Sequence, residues 1–386
     1  MTPRLGAAAL SALVFVVAAG PAQAAPDVFA HRGGAYVRGK PQFPENTLPA
    51  FGVAALQRDP LEFDIKLTAD GVPVVIHDPT LDRTTNCSGR VVDKTLAQLR
   101  RCRADVLGVP GSGLPTRHVA DPSVGVPTLA DVLALGRRTG STVVPEIKNY
   151  PTDSDYDTTL AFAAKATAGI AAGGIPLDRV IVQSFTTENL DVVQSQLPGA
   201  QTSLLALQSG NAAAIPLAVA RSYTWVSPEW PVDGAYVGAA HAGGRRVVPY
   251  TIDTADQMSA AGATGVDALI TNDPTRAHET LGVPFPAAVQ PLAPFITDTS
   301  IRVRRGEAAV GVRCRAPATA TCVGNLTLSV RHRGAMGRAQ FAIAAGRAQT
   351  LRVGVRRSAR GRGVAALSAF DERGNPAVGR QSITLG

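Results

Sequence analysis

From Val28 to about Leu281 short apolar runs alternate with longer stretches of helical spacing. The apolar runs are VFAHRG (28–33), LEFDIKL (61–67), TVVPEIKN (142–149), RVIVQSF (179–185), QTSLLAL (201–207), YTWVSP (223–228), RRVVPYTI (245–252) and DALITN (267–272). Leu48–Gln57, Leu129–Arg138, Asp157–Ala171 and Thr187–Gln196 read as helices between them, with Thr128 and Thr187 as capping residues. Eight such alternations in about 255 residues predict a parallel (β/α)8 TIM barrel over 26–283. The alternative is an open doubly wound sheet, which normally has fewer strands. No GxGxxG follows the first strand here.

Beyond 283 the pattern changes. GVPFPAAVQPLAPF (282–295) is rich in proline and alanine, so residues 284–296 read as a linker. Seven short runs of alternating character then follow: SIRVRR, AAVGVRCR, NLTLSVRH, AQFAIAA, QTLRVGVRR, AALSAFD and RQSITL. Period-two runs separated by turn residues such as Gly306, Gly346 and Gly374-Asn375 predict a small all-β, sandwich-like domain over 297–386.

The first residues read as neither barrel nor linker. Arg4, an apolar core from Leu10 to Ala19 and the small-residue exit Ala22-Gln23-Ala24 make 1–25 a candidate signal peptide. Its apolar core is shorter than the ~20 residues that span a bilayer. The expectation is a secreted, extracellular protein, with retention at the cell wall as a further expectation. Four cysteines, Cys87, Cys102, Cys314 and Cys322, fit an oxidising compartment. Of the three possible pairings, proximity favours Cys87–Cys102 and Cys314–Cys322. Charge is divided unevenly. Residues 295–386 hold sixteen arginines and no lysine against four acidic residues, a net +12, which leaves 1–294 at −4. A basic β-domain beside an acidic barrel suggests an anionic cell-wall polymer or membrane surface as partner, and nothing points to nucleic acid.

Charge also sits at the ends of the buried runs. In a (β/α)8 barrel the C-terminal ends of the strands form the active face. Residues two apart on a strand share a side, so Glu62 and Asp64 point one way, as do Glu146 and Lys148, and Phe29 and His31. Three carboxylates buried together are costly unless a cation neutralises them. Glu62, Asp64 and Glu146 are therefore candidate ligands of a divalent metal, and an all-oxygen set suits Mg²⁺ or Ca²⁺ better than zinc. The alternative is a set of structural ion pairs with Lys66, Lys148 or Arg83. His31 and His77, at the ends of early segments, suit an acid/base pair. Arg32 and Lys148 would supply positive charge to phosphate oxygens. Asp78 is either structural or an orienting partner of His77. The other histidines, His118, His241, His278 and His332, read as surface or loop residues.

The ordered pieces HRGG (31–34), PENTLPAF (44–51), EFDIKLTADGVPVVIHDPTLDRTT (62–85) and PEIK (145–148) resemble the glycerophosphodiester phosphodiesterases. QSF (183–185), YTID (250–253) and GVDALITNDP (265–274) fit the same pattern. The resemblance covers about 28–281 and implies a (β/α)8 barrel that hydrolyses glycerophosphodiesters to sn-glycerol 3-phosphate and an alcohol. It implies metal ligands at Glu62, Asp64 and Glu146, acid/base histidines at His31 and His77, and phosphate-binding cations at Arg32 and Lys148. In PENT, Asn46 and Thr47 precede a helix and suit capping, while Glu45 suits orienting the site. Two departures stand out. The stretch AYVRGKPQF is longer than usual, and Tyr250 replaces a tryptophan; both point at the substrate pocket. The region 86–126 falls where the family varies and suits substrate selection. The tail resembles, more loosely, the Arg-rich β-modules of secreted actinobacterial proteins. The competing readings are a phospholipase D or sphingomyelinase D-like enzyme acting on lysophospholipids, and a wall-binding barrel without catalysis.

Overall fold

A computed structural model describes residues 24–104, 106–107, 117–118, 124–287, 293–315, 321–330, 334–356 and 359–386. The leader read over 1–25 lies almost wholly outside the described residues, as do His332 and much of the stretch 86–126.

Eight strand–helix units follow one another: β1 Asp27–Ala30, α1 Leu48–Gln57, β2 Leu61–Leu67, α2 Leu129–Thr139, β3 Val143–Ile147, α3 Ala161–Ala172, β4 Ile181–Ser184, α4 Thr187–Gln196, β5 Gln201–Ala206, α5 Asn211–Ala220, β6 Trp225–Pro228, α6 Gly234–Ala242, β7 Arg246–Val247, α7 Ala255–Thr264, β8 Ala268–Thr271 and α8 Pro274–Leu281. Their order in the sheet is β7-β6-β5-β4-β3-β2-β1-β8, with Pro73–Val75 added antiparallel to β2. Backbone bonds from Asp267 N to Val247 O (3.0 Å) and from Ile252 N to Ile270 O (2.9 Å) bring the two ends together. The barrel predicted from the alternation is the barrel observed, and all eight predicted strands are in it.

The period-two pattern sorts each strand. On β1, Val28 belongs to the outer apolar cluster with Leu269 and Ala277, whereas Phe29 joins Val144, Ile181, Trp225 and Ile270 inside the barrel. On β2, Phe63 and Ile65 pack against the helices with Val132 and Leu133. The same alternation turns Glu62 and Asp64 inward. Helix starts are mixed. Thr128 caps α2 by accepting from Asp131 N, as expected, but α4 begins after Thr186, whose side chain makes no capping bond. Thr187 is thus the first helical residue rather than the cap.

Among the described residues the second domain has nine strands: β9 Ala293–Ile296, β10 Ser300–Ile301, β11 Val303–Arg304, β12 Glu307–Arg315, β13 Thr321–Val330, β14 Gly334–Ala344, β15 Ala348–Gly354, β16 Gly361–Phe370 and β17 Pro376–Leu385. One sheet joins β9, β11 and β15 to β12; the other runs β10-β17-β16-β13-β14. Their inner faces meet around Val310, Val312, Leu326, Leu328, Phe341, Leu351 and Ile383. Strand β9 lies inside the stretch read as linker. It is a short apolar run, Ala-Pro-Phe-Ile, that pairs antiparallel with Val312–Arg315. Both disulfides have the pairing expected from proximity, Cys87–Cys102 and Cys314–Cys322.

The two domains share an apolar junction. Phe43, Ala50 and Val53 of the barrel pack with Val323 and Phe370, and the Phe43 and Phe370 rings meet edge-on at 5.4 Å. At Gly52 on α1 any Cβ would lie 2.3 Å from the Val323 side chain, so glycine permits the contact. The long stretch AYVRGKPQF, expected at the substrate pocket, builds this junction instead. It folds as a hairpin, Tyr36–Val37 with Lys40–Pro41. Arg38 at its tip donates to Arg373 O (2.9 Å) and Asn375 Oδ1 (3.3 Å), and Gln340 Nε2 donates to Gln42 O (2.8 Å).

Candidate active site

Strand register assembles the carboxylates. Asp64 on β2 lies beside Glu146 on β3, and Gln183 on β4 lies beside Glu146. With Glu62 two residues before Asp64, the three carboxylates offer oxygens within 4.8 Å of one another. All three are buried, Glu62 and Asp64 to 1% exposure and Glu146 to 6%. Burial, and then the neighbouring Asp64, pushes the Glu62 carboxyl well up. Burial likewise pushes Glu146 up to about 7, against the pull of Lys148. Asp64 goes the other way. Burial opposes its charge, but His77, Arg32, Lys148 and a hydrogen bond from Asn46 together hold it below the usual range. A carboxylate cluster short of positive charge, with oxygen donors only, fits a hard divalent cation.

The cluster is held from behind. Asn46 Nδ2 donates to Asp64 Oδ2 (2.8 Å), Gln183 Nε2 to Glu62 Oε1 (2.8 Å), and the Arg32 amide to Glu62 Oε2 (2.7 Å). That last bond needs the tight turn His31–Gly33 directly after β1, in which Arg32 has φ +53° and Gly33 φ +88°. A Cβ at Gly33 would lie 2.8 Å from the Phe51 amide, so the HRG sequence is the turn's requirement.

His31 is held by a relay. Asp253 can only accept, so the Asn272 amide nitrogen faces its Oδ2 (2.8 Å) and the Asn272 oxygen faces His31 Nδ1 (2.9 Å). Nδ1 therefore donates, and Nε2 is the nitrogen left to accept a proton. Burial, followed by Arg32, lowers the His31 pKa to about 3, so the ring is neutral at pH 7. His77 differs. Its Nδ1 lies 2.6 Å from Asp78 Oδ1, and Asp78 also pairs with Arg83, so both the orienting and the structural reading of Asp78 have a contact. Burial still lowers the His77 pKa, partly offset by Asp64 and Asp78. Arg83 bridges Asp78 and Glu45, and Glu45 in turn accepts from Arg32 Nη1 (3.0 Å).

A cavity of about 140 Å³ opens on these groups, lined by His31, Arg32, Glu62, His77, Glu146 and Lys148, with Tyr250 and Phe185 on its walls. Asp64 lies beneath them. Lys148 Nζ is 3.2 Å from Glu146 Oε1 and 5.6 Å from the Phe185 ring centre. All seven residues singled out in the sequence thus lie at one place. Of the ion pairs weighed against a metal, only Lys148–Glu146 forms. Lys66 is paired with Asp153 and Asp155, and Arg83 with Asp78 and Glu45. Tyr250 does face the cavity, and its hydroxyl donates to Ala206 O (2.9 Å).

Sequence reasoning missed four supporting residues and misplaced one. Asn272, Asp253 and Gln183 fell within recognised pieces but were assigned no role. Asn46 read as a capping residue, whereas its side chain holds Asp64. The available signal was a polar side chain in an apolar run, Gln183 in VIVQSF and Asn272 after ALIT. His278, read as a surface residue, is 4% exposed and paired with Asp59 (2.7 Å) on the helical side of the barrel.

The chain is similar to known proteins. The model of the glycerophosphoryl diester phosphodiesterase family matches residues 31–276. A glycerophosphodiester phosphodiesterase from Bacillus altitudinis is 30% identical over 258 residues, covering 65% of this chain and 96% of its own. A crystal structure from Silicibacter pomeroyi, described under the same activity, superposes with a TM-score of 0.58 at 26% identity, over 67% of this chain and 93% of that one. An Oleispira antarctica phosphodiesterase in complex with the product sn-glycerol 3-phosphate superposes with a TM-score of 0.55 at 21% identity, over 67% of this chain and 97% of that one. At that identity the likeness shows the barrel fold.

Proposed function

The chain belongs to the glycerophosphoryl diester phosphodiesterase family, and from that premise we propose that it hydrolyses glycerophosphodiesters to sn-glycerol 3-phosphate and an alcohol. The observation that carries this reading is the buried Glu62–Asp64–Glu146 cluster facing two histidines and two cations across one small cavity. A divalent cation, Ca²⁺ or Mg²⁺, held by those three carboxylates would stabilise charge on the phosphoryl oxygens. The histidines divide the proton work. His31 is neutral, and its Nε2 takes the proton of the attacking water as the new P–O bond forms. To act as the acid His77 must carry a proton on Nε2 as well as the one its Nδ1 shares with Asp78; from that imidazolium form it gives the Nε2 proton to the leaving alkoxide as the ester P–O bond breaks. Lys148 and Arg32 face the same cavity and counter the charge of the diester. The phospholipase D-like and non-catalytic readings are not favoured, since the seven residues implied as metal ligands, acid/base histidines and phosphate-binding cations are all present.

The test is an assay of the mature protein on glycerophosphocholine, glycerophosphoethanolamine, glycerophosphoglycerol and teichoic acid, before and after chelation with EDTA. Glycerol 3-phosphate should appear, should cease to form on chelation, and should return with added Ca²⁺ or Mg²⁺. No release from any diester would overturn the function. Undiminished release after exhaustive chelation would reject the metal.

The proposal extends to a secreted protein held at an anionic surface through its second domain. In support, Arg313, Arg315 and Arg352 are exposed on one outer face of β12 and β15, where Glu307, 3.3 Å from Arg352, and Asp298, beside Gly311, are opposing charges. Guanidiniums suit phosphate, which they can bind through two donors at once. The apolar junction makes domain removal a poor test, because it would expose Phe43 and Val53. Charge reversal is cleaner. Arg313→Glu with Arg315→Glu should reduce sedimentation with anionic vesicles or walls about tenfold at 0.1 M salt. At 1 M, where the Debye length is only ~3 Å, wild type and variant should converge. Equal sedimentation at low salt would remove the binding role.

A further inference from the structure

A second depression, about 430 Å³ in volume, adjoins the catalytic cavity. Phe185 and Leu205 stand in the walls of both. The strands and the helix behind them explain its make-up. Phe185 follows the end of β4, Leu205 and Leu207 come from the end of β5, and Ala213 and Leu217 lie four residues apart on one face of α5. An unbroken row of aromatic rings links the two spaces, with Tyr150 5.3 Å from Phe185 and Phe185 6.0 Å from Tyr250.

The two spaces differ in chemistry. The catalytic cavity is lined by six ionisable groups, whereas among the described residues Glu188 is the one charged side chain around the groove. Leu207 and Leu217 are 45% and 38% exposed beside it, among the few large apolar side chains so exposed among the described residues. A small polar head group, such as glycerol or ethanolamine, would leave this groove empty and its leucines wet. An alkyl or acyl chain on one arm of the diester would cover them while the phosphate stays at Glu62, Asp64 and Glu146. The volume lies within the range of small-molecule sites.

We propose that this groove is an apolar subsite, and that the enzyme prefers diesters carrying an apolar chain on one of their two alcohol arms. The inference rests on the phosphodiesterase reading and adds a substrate class to it. Its occupant is the substrate's own chain, because the groove shares the Phe185 and Leu205 walls with the catalytic cavity.

The experiment uses two series of diesters with the full mature protein, all below their critical micelle concentrations. In one, glycerophosphoalkanols run from ethyl through butyl to octyl, with the chain on the leaving alcohol. In the other, glycerophosphoethanolamine carries a butanoyl or octanoyl group on its glycerol. A fully buried methylene contributes about 4-fold in binding, so kcat/KM should rise at least ~10-fold along one of the series, which then identifies the arm. Ala213→Glu and Leu217→Asp, each a charge set into the groove wall, should bring the octyl-to-ethyl or octanoyl-to-unacylated ratio back toward one. Hydrolysis of the short members with flat ratios in both series would overturn the subsite while leaving the phosphodiesterase reading standing. Ratios that rise in the wild type but survive both substitutions would place the chain elsewhere and overturn it as well. No hydrolysis of any member would remove the underlying reading and the subsite with it.

Discussion

Asp64→Asn and Glu146→Gln are each expected to lower kcat by roughly 10³-fold, since a bound cation contributes several kcal/mol of charge stabilisation. Both substitutions keep shape and remove one charge from a set of three that lies within 4.8 Å. The loss should be accompanied by loss of bound metal in equilibrium dialysis, with circular dichroism unchanged. Glu146 also makes a separate expectation about stability. Its carboxyl, raised to about 7 by burial, binds its proton more tightly in the folded chain than in the unfolded one, where it titrates near 4.5. In EDTA the unfolded state therefore holds fewer protons between those values, and stability falls as pH rises from about 4.5 to about 7. Glu146→Gln should lessen that decline, to which the raised Glu62 carboxyl also contributes, so that the metal-free variant is more stable than metal-free wild type at pH 8. Saturating metal should reverse the order, because only the wild type gains the cation. A variant that keeps full activity and full metal content would reject Glu146 as a ligand.

His31→Ala and His77→Ala should each lower kcat by about 10²–10⁴-fold with little change in KM, the usual span of general acid–base catalysis. The two are distinguished by the leaving group. On an alkyl diester both variants should be impaired. On a nitrophenyl diester, whose phenolate leaves without a proton, the His77 variant should recover most of its rate, because its assigned work is protonation of the alkoxide. The His31 variant should not, because the water still needs a base. Recovery of the His31 variant instead would exchange the two roles, and recovery of neither would show that His77 acts by some means other than proton donation.

Much of this site was legible because its signals are local. Two carboxylates at Glu62 and Asp64 share a strand face by the period of the strand alone. The HRG turn is written in the need for positive φ at Gly33. Apolar runs and helical stretches between Val28 and Leu281 recur eight times, which few folds other than a parallel barrel accommodate. In the tail, period two is equally local, and seven of its runs were visible as strands. What misled was also local. AYVRGKPQF lies between two catalytic motifs in sequence, so nearness in the chain suggested the pocket. Its residues instead meet Phe370, Gln340 and Arg373 of a domain some three hundred residues away.

By itself, then, the sequence determined which side chains point inward, where the turns must tighten and which residue types were available for phosphodiester chemistry. These follow from backbone periods and steric limits that act within a few residues. Only the tertiary structure decided who meets whom. The register of β2 against β3 puts Asp64 beside Glu146, and barrel closure brings Asn272 to His31 across 241 residues of chain. The same closure gives His278 its buried partner Asp59, 219 residues away. No local period encodes such pairings. They arise when strands register and the sheet closes, because burial then requires each inward polar group to find its partner among whatever groups the other strands have brought to the same level of the barrel.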